Sequence, residues 1–199
     1  MSHFIRRVIP SAILKAIPSA ILGRIRLFAS AASLIITVSV SSLSGVAAQE
    51  TTDLPPSLQP PVDEQLVVQL HATGDQIYTC KSESAQFTWT LKAPDAQLLD
   101  NKGQPFGKHF AGPSWQANDG SRVTGKVAVT VASPDAESIP WLLVKAVSHN
   151  GKGILSRVTT IQRRNTNGGK APGSGCDSDH VNQEQRVPYS ADYFFYAPK

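Results

Sequence analysis

The stretch RVTGKVAVTV, residues 122–131, decides the fold class because two kinds of side chain alternate along it. Val or Gly stands at every second position, and the positions between them are largely polar. Successive side chains of a β-strand point to opposite faces, so this pattern is typical of a strand with one buried face. The turn-forming residues Asn118, Asp119 and Gly120 mark its start.

The same two-residue period recurs along much of the chain, whereas the 3.6-residue period of a helix is almost absent. Gly74-Asp75 predicts a turn, after which residues 76–81 predict a returning strand. The alternating apolar positions before residue 100 are Leu66, Val68, Leu70, Ala72, Phe87, Trp89 and Leu91.

Residues 141–147 are almost continuously apolar, as in a strand that is covered on both faces. Asn150-Gly151 then predicts a tight hairpin before a strand at residues 154–162. The sequence DYFFY, residues 192–196, predicts a closing strand, and residues 177–185 predict one short helical piece. About eight strands separated by turns predict one all-β domain, either a β-sandwich or a Greek-key or barrel-like fold.

The chain begins with the features of a secretory signal peptide, residues 1–48. Cations precede a Ser-diluted apolar run at residues 27–43, and small residues follow before Gln49. This run is too polar for a membrane span, which needs about 20 predominantly apolar residues. We therefore expect an exported protein, periplasmic or extracellular, without a stable membrane span after cleavage.

The net charge of +4 does not describe the expected mature protein. Five of the 19 basic residues precede residue 27, and from Gln49 onward 14 basic and 15 acidic residues give 14 − 15 = −1. This balance leaves no basic footprint for a nucleic acid. Arg157, Arg163 and Arg164 are accordingly expected on a solvated face or a salt-bridged edge.

The expected mature chain divides into a Pro-rich extended arm, residues 49–65, and a β-domain, residues 66–199. Cys80 and Cys176 are its two cysteines. In an oxidising compartment they most simply form one disulfide, the alternatives being a metal thiolate or a reactive thiol.

Eight short motifs are distributed along the chain: QIYTC (76–80), GKHFAGPSW (107–115), DGS (119–121), IPWLL (139–143), SH (148–149), IQR (161–163), GCD (175–177) and VPYSADY (187–193). Together they resemble those of an uncharacterised group of exported bacterial and fungal proteins, the domain of unknown function family 3455. The resemblance runs from about Leu66 to Tyr196 and implies a single secreted domain in which Cys80 and Cys176 both belong to the pattern. It implies no activity.

The segment GKHFAGPSW and the turn after it hold the candidate ligand-binding residues His109, Ser114, Trp115 and Asp119. Its glycines and proline fix an unusual backbone path, as in loops that hold ligands. The alternative is a tight β-corner whose aromatic residues fill the core. Of these aromatics Trp115 is the one expected to face out, where it would stack on a sugar ring.

Catalytic and metal sites receive little support from the sequence. Ser114, His109 and Asp119 have the residue types of a hydrolase triad, but the nucleophile-elbow pattern is missing. No established metal-binding spacing occurs, although residues 176–180 collect potential ligands, so we predict neither a metal nor a cofactor. A glycosidase would need two carboxylates on one cleft, and the candidates are Asp119, Asp135, Glu137, Asp177 and Asp179.

Three functions remain open at this point. The leading hypothesis is a non-catalytic domain that binds a small molecule or glycan through residues 107–121. The second is a secreted hydrolase acting on a glycoside or ester, and the third is a structural or surface-interaction domain. Oligomeric state leaves no mark on the sequence.

Overall fold

The computed structural model describes residues 54–84 and 86–199. The predicted signal peptide and the start of the predicted arm lie outside the described residues. The strands in the described part of the chain are β1 (Glu64–Glu83), β2 (Gln86–Leu99), β3 (Pro105–Phe110), β4 (Ser114–Ala117), β5 (Arg122–Val131), β6 (Trp141–Asn150), β7 (Thr160–Gly168) and β8 (Glu184–Pro198).

These strands form one antiparallel sheet that closes into a barrel. Each strand pairs with the next along the chain, and β8 pairs with both β7 and β1. The predicted all-β class is confirmed, and the order of the described strands contains no Greek-key crossover. The predicted closing strand at residues 192–196 lies inside β8.

The short helical piece predicted at residues 177–185 is wrong. These residues form turns until β8 begins at Glu184. The Asp177 carboxylate accepts a hydrogen bond from the Asp179 N–H, and Asn182 has a left-handed backbone with φ 67°. Left-handed residues interrupt a right-handed helix. In the described part of the chain, helical geometry is limited to a 3₁₀ turn at Pro56–Leu58.

The turn predicted at Gly74-Asp75 is also absent, since β1 runs through both residues. Gly74 is opposite Ala96 on β2 and Tyr189 on β8. A Cβ at this position would lie 2.2 Å from the Asp95 carbonyl oxygen. The glycine therefore permits a close approach of two strands, a role that sequence alone does not distinguish from that of a turn residue.

Gly151 has the positive φ of 73° expected of a turn, but the tight hairpin predicted there is wrong. β6 ends at Asn150 and the returning strand begins at Thr160, not at residue 154. The connection between them carries Leu155 and Val158, both fully buried in the core. The longer connection thus closes one end of the barrel with apolar side chains.

A second apolar cluster lies on β6 and is covered by the arm. Leu58 from the 3₁₀ turn is fully buried against Trp141 and Leu143, while Val144 of the same strand belongs to the barrel core. The prediction that this strand is covered on both faces is confirmed at these positions. The 3₁₀ turn that carries Leu58 also shows that the described part of the arm is not extended throughout.

Cys80 and Cys176 form the predicted disulfide, with their Cα atoms 5.3 Å apart. The bridge ties β1 to the segment before β8, and the Cys80 carbonyl also accepts a hydrogen bond from the Asn182 N–H at 2.9 Å. No helix among the described residues is long and apolar enough to cross a membrane.

Candidate ligand-binding cavity

A cavity of about 330 Å³ opens at the end of the barrel where β3 turns into β4. We call it the mouth cavity and define it by three buried polar side chains on its floor and three apolar side chains on its rim. Its volume is at the lower end of the range for small-molecule pockets. The floor consists of Gln76, His109 and Arg163, and the rim consists of Leu91, Val127 and Leu142.

His109 stands on β3 with its ring inside the barrel, 2% exposed. Its Nδ1 lies 2.9 Å from the Ser114 carbonyl oxygen, which can only accept, so Nδ1 carries the proton. Burial lowers the pKa of His109 to about 3, and the nearby Arg163 charge acts in the same direction. The imidazole is therefore neutral, and its Nε2 is a hydrogen-bond acceptor.

Trp115 does not face solvent, so this prediction is wrong. The side chain is 1% exposed and stacks on His109, with ring centroids 4.5 Å apart. The rings of Tyr193 and Phe195 pack against the same indole in T-shaped arrangements, with centroid distances of 5.5 and 6.0 Å. A Cβ on Gly125 would lie 3.3 Å from Trp115 Cζ3, so that glycine leaves room for the indole. Trp115 supports the cavity floor from behind.

The position predicted for Arg163 is wrong. It is 9% exposed and lines the mouth cavity, not a solvated face or a salt-bridged edge. Nε and Nη2 both donate to the Pro140 carbonyl oxygen, at 3.1 and 2.8 Å. Among the described residues no carboxylate forms an ion pair with it, since the ion pairs found there involve other cations.

Gln76 Nε2 on the floor has no hydrogen-bond partner within the described protein. The buried hydroxyls of Tyr189 and Tyr193 lie close to each other and to Arg163. Burial raises the pKa of both tyrosines, so both keep their protons and remain donors. Buried polar groups are normally paired, and unpaired ones require an explanation.

Of the other predicted site residues, neither Ser114 nor Asp119 lines the mouth cavity. The Ser114 hydroxyl lies 2.9 Å from that of Thr124. Asp119 lies between β4 and β5 at the other end of the barrel, where it accepts from the Ser121 hydroxyl at 2.6 Å and the Ile154 N–H at 2.8 Å. These hydrogen bonds lower the pKa of Asp119. Its role here is to fix a turn.

The triad considered from the sequence is therefore not assembled. Ser114 Oγ pairs with Thr124, His109 is held by the Ser114 backbone, and Asp119 is occupied elsewhere. Among the residues that the structure describes, no carboxylate lines the mouth cavity. Asp135 and Asp177, two of the glycosidase candidates, instead accept hydrogen bonds from Ser138 and His180 in surface turns.

The described residues contain no group of three or more His, Cys, Asp or Glu side chains placed to hold a metal ion. Cys176, the first residue of the ligand-rich segment, is in the disulfide. His180 Nδ1 lies 2.6 Å from an Asp177 carboxylate oxygen in the same segment.

Sequence reasoning missed Gln76 and Arg163 as cavity residues, and it missed Tyr189 and Tyr193 as buried polar groups near Arg163. A usable signal was present: each is a polar or amphipathic residue in phase with the buried positions of its strand. Gln76 follows Leu70 and Ala72 at even spacing, and Tyr189 and Tyr193 flank Ala191 in the same way. A polar residue in a buried phase marks either a strained core or a ligand site.

Comparison with known proteins identifies the family of this chain. A family model described as "Protein of unknown function (DUF3455)" matches residues 61–197, as the sequence motifs predicted. The match spans all the residues of the mouth cavity named above. No curated protein and no solved structure matches the chain.

Proposed function

We propose that this chain, which belongs to the DUF3455 family of proteins of unknown function, binds a small molecule in the mouth cavity without transforming it. Binding would use the polar floor to orient the ligand and the apolar rim to remove it from water. Small-molecule sites commonly combine apolar walls with a few convergent polar groups in this way.

One observation carries the proposal: the floor is built of buried polar side chains with unused hydrogen-bonding capacity. Gln76 is 2% exposed and lines the cavity, yet its Nε2 has no protein partner. Leaving a buried donor unpaired costs about 1–3 kcal/mol. A ligand that accepts these hydrogen bonds recovers that free energy.

The same geometry favours binding over hydrolysis. A general base works best with a pKa near the operating pH, whereas burial lowers the pKa of His109 to about 3. The Ser114 hydroxyl points to Thr124 rather than to an imidazole. Neither side chain is arranged as an activated nucleophile or its base.

A cavity-filling variant tests the proposal. Val127 is 42% exposed on the rim, so Val127→Trp should obstruct the mouth cavity without disturbing the core. The matched control is Val147→Trp, because Val147 is 60% exposed outside the cavity. The purified protein is screened by thermal shift against a library of small acids, amides, alcohols and sugars.

The expected result is that hits stabilise the wild type and the V147W variant and lose their effect on V127W. Native mass spectrometry of gently purified protein should report any ligand that co-purifies in the same pattern. Equal stabilisation of V127W and V147W by every hit, or no hit at all, would refute the proposal.

We further propose that the protein is exported and loses residues 1–48. The signal-like sequence and the disulfide both support this, because disulfides persist mainly in oxidising compartments. Intact-mass analysis of protein recovered outside the cytoplasm should give a chain beginning at Gln49 and without free thiols. A mass that retains the leader would contradict the cleavage.

A further inference from the structure

We propose that the ligand of the mouth cavity is a compact apolar carboxylate whose carboxylate group binds Arg163. The inference rests on the proposed binding function and names the chemical class of its ligand. Three features carry it: an unpaired buried cation, an excess of donors around it, and an apolar rim above it.

The first feature is the buried Arg163 side chain. A guanidinium offers five N–H donors, and Arg163 uses Nε and Nη2 on a single acceptor, the Pro140 carbonyl oxygen. That oxygen is neutral, so the charge is not compensated. Buried charges in proteins are normally paired, because an isolated one is costly. An anionic ligand at the mouth cavity would provide the counter-charge that the described residues do not.

The groups around this cation are also donors. Gln76 Nε2 is unpaired and can donate, and the protonated hydroxyls of Tyr189 and Tyr193 lie near the guanidinium. His109 is the exception, since its unprotonated Nε2 accepts. Within residues 54–84 and 86–199, no carboxylate lines the cavity to repel an anion. A ligand group with two acceptor oxygens in one plane matches the planar donor fork of arginine.

The charge count distinguishes a carboxylate from a phosphate dianion. Besides Arg163, the cation that lines the cavity is Lys92, and its Nζ lies 2.5 Å from the Glu184 carboxylate. Lys92 is therefore already paired with a carboxylate. One available positive charge fits a monoanion, and a carboxylate carries one negative charge at neutral pH.

The rim determines the rest of the ligand. Leu91 and Val127 are 51% and 42% exposed and border the entrance together with Pro113. Such side chains gain from covering an apolar body and gain nothing from covering hydroxyl groups. Trp115, the aromatic platform that a sugar ring would need, is buried behind His109. An aliphatic or aromatic acid therefore fits better than a carbohydrate.

Matched pairs of probes test the class directly. Hexanoate and hexanamide have the same chain length, as benzoate and benzamide have the same ring, and each pair differs in charge. Calorimetric titration of the purified protein should give at least about tenfold tighter binding of each acid than of its amide. A preference confined to one pair would identify the apolar body as aliphatic or aromatic.

Two arginine variants locate the charge. Arg163→Met should reduce acid affinity to that of the amide, and Arg163→Lys should fall between, because lysine keeps the charge but not the fork. The matched control is Arg164→Met, since Arg164 lies over the Phe194 ring and does not line the cavity. If R163M does not fold, the Nε–H resonance of Arg163 in the wild-type protein provides the readout: it should shift with benzoate and not with benzamide.

The outcomes separate the two proposals. If acids and amides bind the wild type equally, or if R163M keeps the acid preference, the carboxylate inference fails. The binding function then still stands provided that V127W blocks the hits of the wider library. If V127W blocks nothing, the binding function itself fails.

Discussion

The imidazole of His109 lies flat on the indole of Trp115, with ring centroids 4.5 Å apart and ring planes inclined by 5°. Both side chains are almost completely buried. The stack joins the floor of the mouth cavity to the aromatic core, so the candidate site and the stability of the fold depend on the same pair of rings.

The pH dependence of stability should report this buried histidine. Its pKa is about 3 in the folded protein and 6.5 when exposed. Between these values the unfolded chain binds more protons, so stability is complete above about pH 6.5 and falls as the pH drops towards 3. The slope from one group is about 1.4 kcal/mol per pH unit.

Urea unfolding of wild type and His109→Phe between pH 3.5 and 7.5 measures this contribution. H109F should lose this pH-dependent contribution to the free energy of unfolding. His71→Asn should keep it, because His71 is exposed and pairs with Asp192. An unchanged pH slope in H109F would show that His109 is not the titrating group.

Removal of the Trp115 indole should lower the free energy of unfolding. Trp115→Ala opens a void in the centre of the barrel, and we expect a loss of about 3–5 kcal/mol in the free energy of unfolding. Trp89→Ala is the matched control, since Trp89 is only partly buried and its indole donates one hydrogen bond to Ser174. Its cost should be about 1 kcal/mol. Equal losses in denaturant titrations would argue against the central position of Trp115.

Asp119 should act on the closed end of the barrel and not on ligand binding. Its carboxylate accepts from the Ile154 N–H, and its partner Ser121 accepts from the Leu155 N–H at 3.1 Å. Asp119→Ala should accelerate hydrogen exchange at both amides, with a stability loss of about 1 kcal/mol. Asp100→Ala, which removes a similar turn contact in the β2–β3 loop, should leave both amides unchanged. Protection of both amides in D119A would contradict the assigned role.

The arm should stabilise the barrel through one side chain. Leu58 is fully buried against Trp141 and Leu143, so Leu58→Ala should cost about 2–5 kcal/mol. Val62 is 91% exposed a few residues later, and Val62→Ala should be nearly neutral. Differential scanning calorimetry of the two variants gives the comparison, and equal melting temperatures would place the arm off the sheet in solution.

Reduction of the disulfide should loosen the segment before β8. Cys80 and Cys176 close a loop across 96 residues, and such bridges typically contribute about 2–4 kcal/mol. Urea titrations with and without reductant should differ by that amount, and Trp89 should become more exposed as its contact with Ser174 opens. Identical transitions would mean that the remaining hydrogen bonds hold the segment alone.

The two-residue period predicted the strands well because it follows from backbone geometry. It predicted the buried faces less well, because bulges change the phase. β5 shifts register between Thr124 and Gly125 and again between Val127 and Val129. Val123 consequently packs in the barrel core, whereas Val129 and Val131 pack against the second apolar cluster with Leu58, although all three share one phase in the sequence.

The site was harder to predict than the fold. Arginine is usually solvated, so Arg163 was assigned to the surface, and only the closed sheet places it inside. The prediction for Trp115 was wrong in the opposite direction. The preceding Gly-Pro-Ser indicated an exposed loop, whereas the side chain is buried. The pairing of β4 with β3 and β5 was not visible in a strand of four residues.

The joining of β8 to β1 has a consequence for how the chain reaches this structure. The contact between Glu64 and Pro198 brings together residues from the two extremes of the domain. A growing polypeptide therefore lacks one wall of its sheet until translation has produced β8. Until then β1 has an unpaired edge, open to other chains, and the slow step of folding should be the final closure between these distant strands.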